Sequence, residues 1–275
     1  MHQLPKSQAV PCIVKIGRVA DFDPNVPSIA RVYDYFAGGK NNFTADREMA
    51  DRLLATYPPI ADIVAENRAF LKRAVMWVAE QGVGQFLDLG CGLPTSPNTH
   101  ETARAVIPDA SVVYLDNDPI VLSHLNALPP GVRPGTTVLD GDVHDVDKVL
   151  GAAAEALDLS APACLIMGAL LHFIPVGTGR ELITSYAAAL APGSYVILTA
   201  AVAAGGSAGS AYDEYSNEAA RLYNHSEADF TSFFDSLELV PPGVTDARVW
   251  RPGWRSAETP RKRAGWAYAG IGRVR

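Results

Sequence analysis

In FLDLGCGLPTSPN, residues 86–98, an apolar run ends in Asp88 and a turn holding Gly90 and Gly92. Glycines at such a turn let a ligand approach the backbone. Two more acids close similar apolar runs, Asp116 in VVYLDNDP and Asp142 in VLDGDVHD. A dinucleotide fingerprint would need a third glycine where Thr95 stands, and Asp88 would repel a pyrophosphate. No Gly-Lys-Ser/Thr is present to cradle a phosphate. A ligand with a nucleoside at one end and a cationic amino acid at the other removes the conflict. Asp88 suits its ammonium group, and Asp116 can accept from its ribose hydroxyls. Asp142 can accept from the adenine amino group while the Val143 amide donates to the ring. S-adenosylmethionine has that charge pattern and carries no phosphate. Taken singly, each aspartate reads more readily as a turn or helix cap. Three of them at successive strand ends, with glycines at the first, favour a nucleoside-bearing ligand.

Residues so spaced need strands to present them. QFLDL, SVVYLD, TTVLDG, ACLIMG and SYVILTA are short, branched, apolar runs of the kind that fill a sheet covered on both faces. Helical patterns lie between them, near 98–106, 119–128, 144–156 and 178–190, the first of them opened by Ser96-Pro97. Strands alternating with helices predict an open βαβ sheet that binds ligands beyond the strands' carboxyl ends. Upstream, Ser28 caps a short helix stopped by Gly38 and Gly39, a second helix runs from about Ala45 to Ala55, and Pro58-Pro59 opens a third. That third helix sets Ile63, Phe70, Leu71, Ala74, Val75 and Val78 on one face. After Ala200 come a small-residue loop, AVAAGGSAGSA, and a helical stretch to about Leu237. LELVPPG and GWAYAGIGRV then read as a terminal hairpin.

The 275 residues are 48% hydrophobic and 19% charged, enough for a large core. A net charge of −7 argues against general nucleic-acid binding and sets DNA aside as a partner. From Arg248 onward, however, eight basic residues face one acid, a local excess of +7 that leaves −14 elsewhere. The three cysteines, Cys12, Cys91 and Cys164, make no metal spacing, and no metal is expected. With no signal-like or membrane-spanning apolar run, the sequence reads as cytoplasmic and soluble.

The series FLDLGCG, YLDNDP, LDGDV and MGALLHF resembles the motifs of class I S-adenosylmethionine-dependent methyltransferases over roughly residues 85–200. RVYDYFAGGKNNFTADRE, NRAFLKRAVMWVAEQGVGQFLDLGCGLPTSPN and the PPGV…WRP segment together look like the bacterial group called domain of unknown function 574. The resemblance implies a doubly wound, mostly parallel, seven-stranded α/β sheet of the Rossmann-like kind. An arm over 1–26, in part disordered, and a helical lid or extension over 27–82 would precede a methyltransferase domain over 83–275. It also implies S-adenosylmethionine as cofactor and S-adenosylhomocysteine as product. Residue by residue, it assigns Asp88, Gly90 and Gly92 to the methionine end, and Asp116, with Asn117 beside it, to the ribose. Asp142 and Val143 go to the adenine, and Gly168, Ala169, Leu170 and Leu171 approach the methyl group.

Some amino-methyltransferases carry Asn/Asp-Pro-Pro-aromatic where this chain reads MGALLHF, and cytosine C5-methylation needs a Pro-Cys there. A small-molecule acceptor is therefore expected. A cofactor-binding sensor without turnover and an RNA methyltransferase using the Arg- and Trp-bearing stretch RVWRPGWRSAETPRKR are the alternatives. A nicotinamide oxidoreductase is disfavoured by Thr95 and Asp88. His172, just past the fourth strand, is the best-placed candidate general base, although it reads more readily as a turn cap. His144 reads as a helix-opening residue, and His100 and His124 as surface. Asn67, on an otherwise apolar helix face, should point inward and needs partners. It could contact the cofactor's carboxylate end, with Arg68 beside it as a clamp. Tyr33, Tyr35, Gly38, Gly39 and Lys40 could close as a lid that excludes water, with Tyr33 and Tyr35 near the chemistry.

Overall fold

The computed structural model describes residues 13–15, 23–129, 131–132, 134–202, 206–218, 220–251 and 266–275. Of the expected arm only 13–15 and 23–26 fall in that set. Cys12 and most of the basic stretch, 252–265, lie outside the described residues.

Among the described residues nine strands form one sheet: β1 (Ile13–Lys15), β2 (Gln85–Leu89), β3 (Ser111–Asp116), β4 (Thr136–Asp140), β5 (Cys164–Met167), β6 (Tyr195–Val202), β7 (Glu238–Leu239), β8 (Thr245–Asp246) and β9 (Trp266–Arg273). Eight follow one path, β1-β4-β3-β2-β5-β6-β9-β7, and β8 pairs with β9. The sheet is thus larger than the seven strands expected. β1 extends the parallel edge beside β4, and the two-residue β8 adds a second short partner for β9. Strands β1 to β6 pair in parallel, whereas β9 runs antiparallel to β6 and β7, so the expected terminal hairpin becomes the β7–β9 pair.

Helices cover both faces. In each strand alternate residues feed opposite cores, as the two-residue period of a strand requires. Phe86, Val112, Tyr114 and Ile166 pack with Phe70, Ala74 and Val78 of α3 (Ile60–Glu80). Leu87, Val113, Leu115 and Leu165 pack instead with Val149 of α6 (Val146–Ala153) and Ile183 of α7 (Val176–Ala188). A third apolar cluster lies apart from the sheet. It joins α1 (Ile29–Phe36) and α2 (Thr44–Thr56) to Ala211 of α8 (Gly206–Glu218), through Val32, Met49, Ala50 and Leu53.

Three local expectations give way. α4 (Thr99–Arg104) is opened not by Ser96-Pro97 but by Asn98, whose N–H donates to Glu101 Oε2 at 2.5 Å in a capping box. The small-residue run after Ala200 is not one loop: β6 continues to Val202 and α8 already starts at Gly206. The helical stretch beyond it is two helices, α8 and α9 (Glu227–Ser232), the second with its own Ser226/Asp229 cap.

Candidate functional site

The sheet order reverses at β2. β3 lies on one side of it and β5 on the other, so the crossovers leave in opposite directions and open a crevice beyond its carboxyl end. The glycine turn sits there. Gly90 has φ +63° and Gly92 φ +67°, a region that side chains disfavour, and a Cβ on Gly90 would come within 2.9 Å of Leu170. The N–H groups of Gly90 and Cys91 both donate to the Leu115 carbonyl, at 2.8 and 3.2 Å, which folds the turn over β3. Gly92 N–H donates to Asp116 Oδ2 at 2.9 Å, and Asp118 N–H to Asp116 Oδ1 at 3.0 Å. Asp118 in turn caps α5 (Pro119–Asn126) and accepts 2.5 Å from the Ser28 hydroxyl at the head of α1. Ser28 is therefore the N-cap residue of α1 by position, but its side chain reaches another element.

Asp88 is buried and accepts from the Thr99 hydroxyl at 2.6 Å. Among the described residues neither Asp88 nor Asp116 has an ion-pair partner. Burial pushes each carboxyl up to about 6. Two buried acids near one another with no ion-pair partner are costly for the ligand-free fold, which is the signature of a site rather than of a core.

Both open onto a cavity of about 600 Å³. Asn117, Asp142 and Val143 line its strand-end side, and Gly168, Ala169 and Leu170 line it beyond β5. Asp142 is exposed and accepts from His144 at both N–H (2.9 Å) and Nδ1 (2.6 Å), so His144 orients that carboxylate. Ala169 has φ +55°, a strained value for a residue with a Cβ, held by its N–H to Thr199 Oγ1 at 2.7 Å.

From the helical segment come Asn67, Arg68 and Tyr33. Asn67 is buried, and its Nδ2 donates to the Tyr33 hydroxyl at 2.8 Å. Its Oδ1 is buried without a partner. Arg68 donates to the carbonyls of Thr95 and Pro97, tying α3 to the loop after the glycine turn. Tyr35 and Gly38 do not join them. The Tyr35 hydroxyl donates to Asp51 on α2 at 2.7 Å, and Gly38 is exposed with φ +78° where α1 stops. Gly39 and Lys40 are absent from the cavity wall as well. A Cβ on Gly39 would fall 2.0 Å from the Asp34 carboxylate, so that glycine serves the turn.

His172, in a 3-10 turn at Leu171–Phe173, is buried at the cavity wall. Burial first, and then His225, lowers its pKa to about 3, and its Nδ1 accepts from Ala201 N–H at 3.3 Å. A neutral ring whose Nδ1 accepts carries its proton on Nε2. It is a hydrogen-bond donor there and a poor match for a general base at neutral pH. His100 is not at the surface: its ring and its N–H both meet the Tyr114 hydroxyl, at 2.8 and 2.9 Å.

Several wall residues carried no site role in the sequence reading, Ser28 being marked only as a helix cap. Thr99 was legible in principle, as the hydroxyl in the first turn of the helix that follows the glycine loop. Ser28, Asp118 and Thr199 act through contacts from 30 to 90 positions away, and Phe173 and Tyr215 through packing. No local pattern announces either kind.

The comparisons agree with this geometry. A crystal structure of a candidate methyltransferase from Thermobifida fusca is 38% identical, covering 91% of this chain and 96% of its own, with a TM-score of 0.85. A domain-of-unknown-function-574 protein from Streptomyces avermitilis is 33% identical, covering 92% and 99%, at 0.86. Magnesium protoporphyrin IX methyltransferase from Synechocystis, solved with S-adenosylhomocysteine, covers 89% and 93% at 14% identity and a TM-score of 0.50, a likeness of fold alone. No curated protein matches the chain. Residues 17–275 match the profile of the S-adenosyl methyltransferase family. The chain belongs to that family of S-adenosylmethionine-dependent methyltransferases.

Proposed function

We propose that this methyltransferase acts on a small-molecule acceptor, held with the cofactor in one continuous cavity. The observation that carries this reading is the cavity itself. Its roughly 600 Å³ run without a break from the acids at the strand ends to the apolar underside of α1 and α3. That is the volume of a small-molecule site. No helix among the described residues is long and apolar enough to cross a membrane.

The residues present fit S-adenosylmethionine on three counts. Asp88 and Asp116 are buried acids without an ion-pair partner among the described residues, and such a ligand brings a cation and further donors. The Asn67 Oδ1 is a buried acceptor in want of a donor. At Gly90 the backbone leaves room where a side chain would not fit. Asp88, with Thr99 and Asn67, would hold the amino-acid end. Asp116 and Asn117 would take the ribose, Asp142 and Val143 the adenine, and Gly168 to Leu170 would flank the reacting methyl. When bound, the cofactor supplies a methyl group on a sulfonium, open to in-line displacement by an acceptor lone pair. The chain's own work is to align the two molecules and exclude water. Ser28, hydrogen-bonded to Asp118, closes the roof over the strand ends. His172, whose burial lowers its pKa to about 3, is not the base at neutral pH.

Radiolabelled methyl from S-adenosylmethionine, offered to a cell extract split into small-molecule, RNA and protein fractions, should appear in the small-molecule fraction. Label in RNA would replace this reading by the RNA one, and binding without any label by the sensor.

The raised carboxyls set a pH dependence. Folded values near 6 exceed ordinary aspartate values, so ionising these groups costs the ligand-free fold stability above about pH 6. That cost fades as the pH falls from about 6 to below about 4, the ordinary aspartate value, beneath which both groups are protonated folded or unfolded. A cation and hydroxyls favour the ionised form. Affinity for S-adenosylmethionine is therefore expected to fall as the pH drops through about 6, with protons released on binding. Calorimetry at pH 6 in buffers of different ionisation enthalpy reads this directly, and equal heats in all buffers would refute it.

A further inference from the structure

The cavity is chemically divided. Asp88, Asp116, Asp118 and Asp142 stand at the strand ends, whereas the far side, between α1, α2, α8 and the 3-10 turn, is walled by Phe36, Leu53, Tyr57, Phe173, Ala211 and Tyr215, with Asp34 of α1 engaged by Asn41 N–H and Asn42 Nδ2. The Phe173 and Tyr215 rings lie 6.1 Å apart, tilted by 39°, and give one aromatic wall. Most of the others belong to the apolar cluster that joins α1 and α2 to α8. Glu214 of α8 is turned to α2, where it meets Arg52 Nε at 3.3 Å and the Thr56 hydroxyl at 3.4 Å.

Charge is distributed to match. Among the described residues the whole cavity wall carries two cations, Arg68 and Lys72. Arg68 is held by the carbonyls of Thr95 and Pro97, and Lys72 is exposed four residues further along α3. Five aspartates line the same cavity: Asp34, Asp88, Asp116, Asp118 and Asp142. Two donors remain near the apolar side. The Tyr33 hydroxyl accepts from Asn67, so its own proton is available to donate. His172 carries its proton on Nε2, because Nδ1 accepts from Ala201.

Resting on the methyltransferase reading with a small-molecule acceptor, we propose that this apolar chamber is the acceptor site and that it selects an uncharged ring compound bearing a hydrogen-bond-accepting oxygen. An anionic acceptor would enter against five aspartates and lose its water, with Arg68 already held by carbonyls and Lys72 exposed to solvent. An ammonium has no lone pair to offer a methyl carbon. A neutral ring stacks on Phe173 and Tyr215, and its oxygen takes the Tyr33 and His172 donors. The shared volume leaves room for a molecule of one to a few rings beside the cofactor.

The test ranks three probes of one shape, 2-naphthol, 2-naphthoate and 2-naphthylmethylammonium, by calorimetry at pH 7 on the full chain with and without S-adenosylhomocysteine. In the loaded protein 2-naphthol should bind about tenfold or more tighter than either charged probe. Tyr215→Arg puts a guanidinium on the aromatic wall and should reverse the order, favouring 2-naphthoate. Its affinity for S-adenosylhomocysteine reports whether that variant is folded, and if it is not, the unsubstituted chain's ranking decides alone. Equal or tighter binding of a charged probe, or no binding of any probe to the loaded protein, overturns the chamber proposal and leaves the cofactor reading intact. Failure of S-adenosylhomocysteine itself to bind overturns that reading and the proposal with it.

Discussion

Replacing Asp116 with alanine is expected to weaken S-adenosylmethionine binding by about a hundredfold or more, measured by calorimetry with NAD and ATP as silent controls. Two separate losses combine in this figure. The first is the ligand's own hydrogen bonds, since a carboxylate at the end of β3 can accept from both ribose hydroxyls. The second lies within the protein. Asp116 accepts from Gly92 N–H at 2.9 Å and from Asp118 N–H at 3.0 Å. Without it both amides lose their partner, at about 1–3 kcal/mol for each that stays buried. The glycine turn would also lose its tether to the second strand end. Asp116→Asn separates the two losses. It keeps one acceptor oxygen and removes the charge, so its affinity should lie between wild type and alanine. Its binding should also lose much of the change near pH 6 that the carboxylate causes. An alanine variant that binds within threefold of wild type would remove Asp116 from the site.

The strand-end half of that site was legible because it is built from short sequence windows. A strand, a turn and a helix start fix Asp88, Gly90, Gly92, Asp116 and Asp142 within a few residues of local pattern, and the parallel pairing of β2, β3 and β4 sets them side by side. The roof was half legible. The apolar period of α3 marked Asn67 as inward-facing, and it is buried. Tyr33 and Tyr35 illustrate the limit. They stand two apart on one short helix, which turns them by roughly 200° relative to one another. Tyr33 faces Asn67 and the cavity, and Tyr35 faces Asp51. A cluster of interesting residues in sequence is not a cluster on a helix surface. His100 misled for a related reason. A helix of six residues offers too little period to tell the face that meets Tyr114 from the face that meets water. The apolar side of the cavity had no sequence signature, because its walls come from α1, α2, α8 and the 3-10 turn, which only the tertiary fold brings together.

The motif RVYDYFAGGKNNFTADRE thereby acquires a structural account in place of most of its expected lid chemistry. Asp46 is fully buried in α2, where it accepts from Ser28 N–H at 2.9 Å, Phe43 N–H at 2.8 Å and Arg31 Nε at 2.9 Å. Arg31 is buried too, donates to the Val26 carbonyl at 2.6 Å, and lies 5.2 Å over the Phe43 ring. One carboxylate thus holds the start of α1, the start of α2 and the side chain of Arg31. Through Ser28 the same assembly reaches Asp118, one residue beyond Asn117 at the strand ends.

Asp46→Ala is therefore expected to destabilise the protein by about 3–5 kcal/mol, because it strips a buried guanidinium of its counter-charge and two backbone amides of their acceptor. In thermal unfolding this corresponds to a fall of roughly 10 °C in Tm. A double replacement, Arg31→Met with Asp46→Leu, tests where the cost arises. Removing both charges should recover part of the loss, as apolar substitutes for buried ion pairs often do. Full recovery is not expected, since the Ser28 and Phe43 amides would still lack the acceptor that Asp46 gave them. Hydrogen exchange should then show faster opening in α1 than in the sheet strands, with S-adenosylmethionine binding weakened in step as Tyr33 and Ser28 lose their places. If Asp46→Ala unfolds within about 1 kcal/mol of wild type, the ion pair does not hold the roof. The closure of the cavity must then come from the apolar contacts of Val32, Met49 and Leu53.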